Sequence, residues 1–281
     1  LLGAVATGLA QRRSRARRLA IEAAGRPMVS VVVAARNAED CIERSIRSLL
    51  AQTHRELEIL FVDDASTDRT AELVHAIAAQ DDRVRVLRND RRRRAAMSRN
   101  VGLAQAKGTY VTFQDADDTS HPERIERQLA ALLARPDAVL CVCNSRRETP
   151  DGARVVVNGR RFARSFISMM FPREKVLSRI GYLRALEVGE DAEYYERIRA
   201  VFGAERELHL FETLYRARFA EGSLLFSNGE VRVGPANDVE YVQSPAARRA
   251  LHEAMERVAA IRGGASPFVP FVDESVIAES A

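Results

Sequence analysis

Between residues 28 and 144, short β-branched and apolar runs alternate with amphipathic stretches, and this alternation leaves few folds open. VSVVVAA at 29–35 and LEILFV at 57–62 are apolar, β-branched and too short for buried helices, so they predict strands. A helix over 39–51 gathers Ile42, Ile46, Leu49 and Leu50 on one side. Asp68 stands where it can cap a helix over 70–80, with Glu72 near that helix's positive end. A strand over 83–88, a helix over 95–106 closed by Gly108, and a strand over 109–114 continue the rhythm. Pro122 suits the first position of a helix reaching 134, and 137–144 returns as a strand. Five strands joined by four helices, each crossing right-handed, predict a doubly wound, mostly parallel α/β sheet with helices on both faces.

After Asn144 the pattern changes. DGARVVVNG reads as a hairpin or edge pair, FISMMF as a strand, and 173–180, 191–202 and 246–262 as helices. From Gly263 onward, a tail containing SPFVPFVDES is expected to pack loosely. The organisation predicted is a basic helical connector (1–27), a main domain (28–220) split into a nucleotide half (28–144) and an acceptor half (145–220), and a C-terminal helix and tail (221–281). With 281 residues, 46% of them hydrophobic, the chain can bury a large core, which excludes a disordered or fibrous protein.

The net charge of +4 comes almost wholly from arginine, since Lys107 and Lys175 are the only lysines. The segment 12–18, RRSRARR, ends in a solvated connector or rests on anionic lipid headgroups, where each basic side chain contributes about 1 kcal/mol. Neither this run nor Arg91–Arg94 has the interleaved aromatics of a nucleic-acid surface, so no nucleic-acid partner is expected. Arg91–Arg94 reads either as a solvated turn or as a contact for a diphosphate or an anionic acceptor. Cys41, Cys141 and Cys143 are too few for a disulfide framework and lack zinc-ligand spacing, which fits a reducing cytoplasm; the latter two share a strand face and are expected in the core. The first ten residues are too short an apolar stretch to cross a bilayer. Helix-like sequence starts directly at Leu1, so an upstream domain in a longer chain is anticipated.

In a parallel sheet, ligands bind at the carboxyl ends of the strands, and here those ends are acidic. Strand two closes on Asp63 and Asp64, and strand four on Asp115, Asp117 and Asp118. Any one aspartate could simply cap a helix or make a turn. Several converging on one crevice repel unless a cation joins them, and oxygen ligation suits Mg²⁺ or Mn²⁺, which also bind substrate phosphates.

Four ordered segments, VSVVVAARNAEDCIERSIRSLLAQTH, EILFVDDASTDRT, MSRNVGLAQAKGTYVTFQDADD and GEDAEYYERI, together resemble the inverting family 2 glycosyltransferases of the GT-A fold, a Rossmann-like sheet with a C-terminal acceptor side. The resemblance spans about 28–220. It implies transfer of a sugar from a nucleotide sugar, a UDP-sugar, to a glycan or lipid-linked glycan acceptor in bacterial surface or exopolysaccharide synthesis. It implies that Ala35 and Arg36 wrap the nucleotide, that Asp64 accepts the pyrimidine imide N–H, and that Arg99 lies near the diphosphate. Asp63 and Asn100 would hold loops. In the D-x-D, Asp117 would meet Mn²⁺ or Mg²⁺ directly, with Asp115 on the ribose or a metal-bound water. Asp191 would be the general base, and Arg216 or Arg218, in the later loop LYRARFAEGS, would close over the diphosphate. His121 reads as a metal ligand or as a neighbour of a helix N-cap. Two rival readings are a catalytically silent binding module of a larger protein and a nucleotidyltransferase; AARNAED lacks the glycines of the latter's loop, and the chain lacks the Trp and membrane helices of processive synthases.

Overall fold

The structure is a computed structural model that describes residues 2–221 and 223–272. Helix α1 (Leu2–Ala23) leads into β1 (Val29–Ala35), α2 (Ile42–Leu50), β2 (Leu57–Asp63), α3 (Thr70–Ala78), β3 (Val84–Arg88), α4 (Arg94–Gln105) and β4 (Tyr110–Asp115). Then come β5 (Thr119–Ser120), α5 (Arg124–Ala134), β6 (Leu140–Glu148), β7 (Arg154–Val157), β8 (Ala163–Pro172), α6 (Arg173–Ile180) and α7 (Glu190–Phe202). The chain continues through β9 (Glu207–Arg218), α8 (Leu224–Ser227), β10 (Gly229–Val233), β11 (Asp238–Gln243) and α9 (Pro245–Arg262).

Strands β3, β2, β1 and β4 run parallel in that order, and every residue of β2 is buried, as a strand covered on both faces requires. Helices α2, α3 and α5 enclose one face in a core built on Ile42, Ile46, Leu49, Val74 and Leu129. The other core centres on Phe113, Phe171, Tyr194 and Ile198. The order β4-β8-β6 departs from the expected run of parallel neighbours: β8 inserts antiparallel between β4 and β6. The fifth strand is thus in the sheet, one place beyond where a simple winding puts it.

A second departure is β9. The stretch anticipated as a loop around LYRARFAEGS is instead the end of a twelve-residue strand parallel to β6, and it also pairs with β5 beside the D-x-D. Its alternation was masked by register shifts opposite Cys143, Asn144 and Ser145.

The two ends of the chain are also tied down. Helix α1 lies on α5, with Arg17 bonded to Glu123 at 2.8 Å and Glu126 at 3.3 Å, and with Ile21 in the core. At the C-terminus, β11 joins β7 and α9 packs along α7. The tail through Val272 is anchored rather than loose: Tyr182 N–H donates to the Val269 carbonyl at 2.9 Å and Arg197 to that of Pro267 at 3.1 Å. Residues 273–281 of the predicted tail lie outside the described residues. Among the described residues no helix is long and apolar enough to cross a membrane.

Candidate functional site

A cavity of about 1000 Å³ opens over the carboxyl ends of β1 and β4 and is walled on the far side by β6, β7, β8 and the end of β9. Ala35 and Arg36 line it, as do Arg99, Asp115, Asp117, Asp191 and Arg218. Residues separated by up to 183 positions therefore meet in one place, because parallel winding delivers every strand's carboxyl end to one edge.

Asp115 ends β4. Its backbone N–H donates to the Tyr215 hydroxyl at 2.9 Å, and its carboxylate takes Arg99 at 2.5 Å. Tyr215 is buried, and Arg124 lies over its ring at 5.7 Å, fully buried and without an acidic partner. Asp118 accepts the Arg218 N–H at 2.7 Å, and burial followed by the charge of Asp117 pushes its carboxyl well up. Asp118 is thus structural, closing the β4 turn onto β9.

Asp117 is different. No cation among the described residues forms an ion pair with it, and burial together with the Asp115 charge raises its pKa to about 6. Such a carboxyl gains from a divalent cation. Among the described residues no three His, Cys, Asp or Glu form a closed cage. The D-x-D is an open pair, the arrangement that Mg²⁺ or Mn²⁺ uses when waters and phosphate oxygens complete the shell. The residues present fit such an ion, with Asp117 the available ligand and Asp115 already engaged by Arg99.

Helix α7 starts at Gly189, whose φ of 76° is a left-handed conformation that glycine adopts without strain. That turn sets Glu190 beneath and Asp191 into the cavity. Burial, then the Glu190 charge, raises Asp191 to about 6 against the pull of Arg99. Arg99 itself binds Glu190 and Asp115 at once; burial works to strip its proton, and the surrounding carboxylates win and keep it charged. Asn100 supports this arrangement by exchanging hydrogen bonds with the backbone of Leu183 at 2.8 and 2.9 Å.

Two sequence expectations, for Asp64 and for Arg216, are placed differently. Asp64 does not reach the cavity wall: its oxygens accept the N–H groups of Arg93 at 2.6 Å and Arg94 at 2.8 Å and the Asn89 amide at 2.9 Å. The basic turn 91–94 is therefore folded onto Asp64, and neither is a cavity contact. Of the two late arginines, Arg218 lines the cavity and pairs with Asp40 at 2.7 Å, whereas Arg216 is exposed outside it. His121 is a capping neighbour, its Nδ1 accepting the Glu123 N–H at 3.2 Å. Asp63 holds its loop as anticipated, accepting the Ser66 N–H at 3.2 Å, and Cys141 and Cys143 are buried core residues. Tyr215, Arg124 and Glu190 were not singled out in the sequence; only Glu190, beside Asp191, carried a local signal.

Comparison with known proteins followed from this geometry. The sequence model described as Glycosyl transferase family 2 matches residues 30–186. The chain is 37% identical over 110 residues to the putative teichuronic acid biosynthesis glycosyltransferase TuaG of Bacillus subtilis, covering 39% of this chain and 44% of TuaG. It spans about half the length, or less, of the curated relatives it matches. Among solved structures, S. aureus TarS in complex with UDP-GlcNAc aligns at a TM-score of 0.63 and 22% identity, over 83% of this chain and 66% of that one. The mannosyltransferase PcManGT of Pyrobaculum calidifontis, in complex with GDP-Man and Mn²⁺, aligns at 0.58 and 22% identity, over 81% and 72%. These structural likenesses establish the shared fold.

Proposed function

The chain belongs to glycosyl transferase family 2, and from that premise we propose that it is a metal-dependent inverting glycosyltransferase, moving a sugar from a UDP-sugar to a hydroxyl of a bacterial surface or secreted glycan. The single observation that carries this reading is the meeting of Asp117, Asp191 and Arg99 in one cavity at the strand ends. Mn²⁺ or Mg²⁺ held by Asp117 would supply positive charge for the departing diphosphate. Arg36 lines the same cavity and would bind its oxygens, and Arg218 would join it by exchanging Asp40 for them. Asp191, across the cavity, takes the proton of the acceptor hydroxyl as that oxygen attacks the anomeric carbon. Attack from the face opposite the leaving group inverts the centre, through a transition state like that of glycoside hydrolysis. Asp64 joins the pyrimidine only if the 91–94 turn gives way, so donor binding and movement of that turn go together.

TuaG's described role in teichuronic acid biosynthesis supports a polysaccharide pathway, and the UDP-GlcNAc bound by TarS supports a uridine donor. Such donors place the work in the cytoplasm. Arg12, Arg13 and Arg15 remain exposed on α1 after Arg17 is spent on α5, and we assign them a peripheral contact with anionic lipid. Substituting all three with Gln should abolish sedimentation with phosphatidylglycerol vesicles, and unchanged sedimentation would leave α1 as a connector.

The donor reading is tested by calorimetric titration of UDP, GDP, CDP and ADP, with Mn²⁺ and with chelator. UDP should bind best, only with metal, and Asp117→Ala should remove the metal dependence. An unchanged metal response in that variant refutes the assignment.

A further inference from the structure

The cavity's arginines fall into two sets. Arg99, Arg146, Arg164 and Arg218 are each locked to acids, the last three to Glu148 at 2.5 Å, Glu207 at 3.3 Å and Asp40 at 2.7 Å. Arg36, Arg147, Arg160 and Arg161 line the cavity with no acidic partner among the described residues, and the last three stand together on the acceptor wall. Like charges sharing one wall repel one another, and their guanidinium donors are left for a ligand to use.

The backbone that presents them is braced. Asn158 and Gly159 have φ of 49° and 70°, the left-handed pair of a two-residue type I′ hairpin turn, and Val157 and Arg160 exchange backbone hydrogen bonds at 3.1 and 2.9 Å across it. The Asn158 side chain then clamps Tyr241 of β11, donating to its carbonyl at 2.9 Å and accepting its N–H at 2.8 Å. A merely solvated charge run has no need of such support. Arg147 comes from the facing strand, paired with Val155 of β7, and its charge is felt at both Asp117 and Tyr241. Exposed Phe162 follows directly and adds an apolar face.

Resting on the glycosyl-transfer reading, we propose that the acceptor is anionic: Arg147, Arg160 and Arg161 form a subsite for an oxyanion on the growing glycan, a phosphate or a uronic acid carboxylate. Arginine's fixed fork matches both groups in bidentate fashion. A neutral glycan would leave the three guanidiniums on that wall without neutralisation.

The test is calorimetry on the full chain with UDP and Mn²⁺ present, titrating tetragalacturonate, a glycerol phosphate tetramer and neutral maltotetraose. At least one anionic probe should bind about ten-fold or more tighter than maltotetraose, weakening with salt, and the tighter of the two identifies the oxyanion. The triple variant R147Q/R160Q/R161Q should lose this preference, and the double variant R160Q/R161Q should weaken it while UDP affinity is unchanged. Equal binding of neutral and anionic probes, or a preference that survives in the triple variant, overturns the proposal. If UDP fails to bind but the arginine-dependent preference for anions is present, the subsite stands and the donor reading falls.

Discussion

At the residue scale, two carboxyls in this cavity are raised to about 6 by burial, each with a different acidic neighbour adding to the rise. Asp117 is raised by burial and by its neighbour Asp115, and Asp191 by burial and by Glu190. A general base works only when deprotonated, so kcat/KM should rise with pH and level off above about 6. Asp191→Asn should cost about 100- to 10,000-fold in transfer while UDP binding survives. Lost UDP binding would move Asp191 into the nucleotide site, and a flat profile from pH 5 to 8 would remove it as the base. The same shifts have a sign in stability. A carboxyl with a higher pKa folded than unfolded binds its proton more tightly when folded, so its contribution is full below the unfolded value near 4 and is lost as pH rises through about 6. Asp40, lowered by Arg218, acts oppositely: its contribution is present at neutral pH and lost as pH falls through its folded pKa. Asp115, Asp117 and Asp191 were legible because strand ends and local motifs mark them. Asp64 was legible as a residue but not as a contact, since its hydrogen bonds to 93 and 94 depend on how the turn folds.

At the scale of elements, the run from β1 to β4 was readable to within a few residues, because each strand is a local apolar run and each helix a local amphipathic one. The region after residue 144 was not, because its strands pair non-locally: β8 enters between β4 and β6, and β9 reaches across from residue 207 to reinforce both β6 and β5. The polar, bulged sequence of β9 gives no clean period of two. Its Tyr215 nevertheless anchors the D-x-D turn, accepting the Asp115 N–H and donating to Asp118. Tyr215→Phe keeps the ring over Arg124 and removes only the hydroxyl. That leaves a buried N–H unpaired, so urea unfolding should show a loss of about 1–3 kcal/mol in midpoint-derived stability with little change in slope. An unchanged midpoint would mean that water replaces the hydroxyl and that β9 does not brace the turn.

At the scale of the molecule, the parts of the chain before and after residue 144 share one sheet, and a buried cation ties them together at the cavity. Arg99 leaves α4 and joins Asp115 at the end of β4 to Glu190 at the start of α7. This arrangement makes Asp115 and Asp191 interdependent: the charge that steadies Asp115 also opposes the rise in the pKa of Asp191. Replacing Arg99 with Met keeps much of the volume and strips the charge, leaving the buried Glu190 and the partly exposed Asp115 unpaired. Breaking such a buried pair costs about 3–5 kcal/mol, so R99M should unfold at markedly lower urea than the parent chain. Without the arginine, Asp115 and Asp117 repel more strongly, and Mn²⁺ at pH 7.5 should recover more stability in R99M than in the parent. If R99M is as stable as the parent and responds no more to metal, the two parts are held by the sheet alone and Arg99 acts only on the substrate.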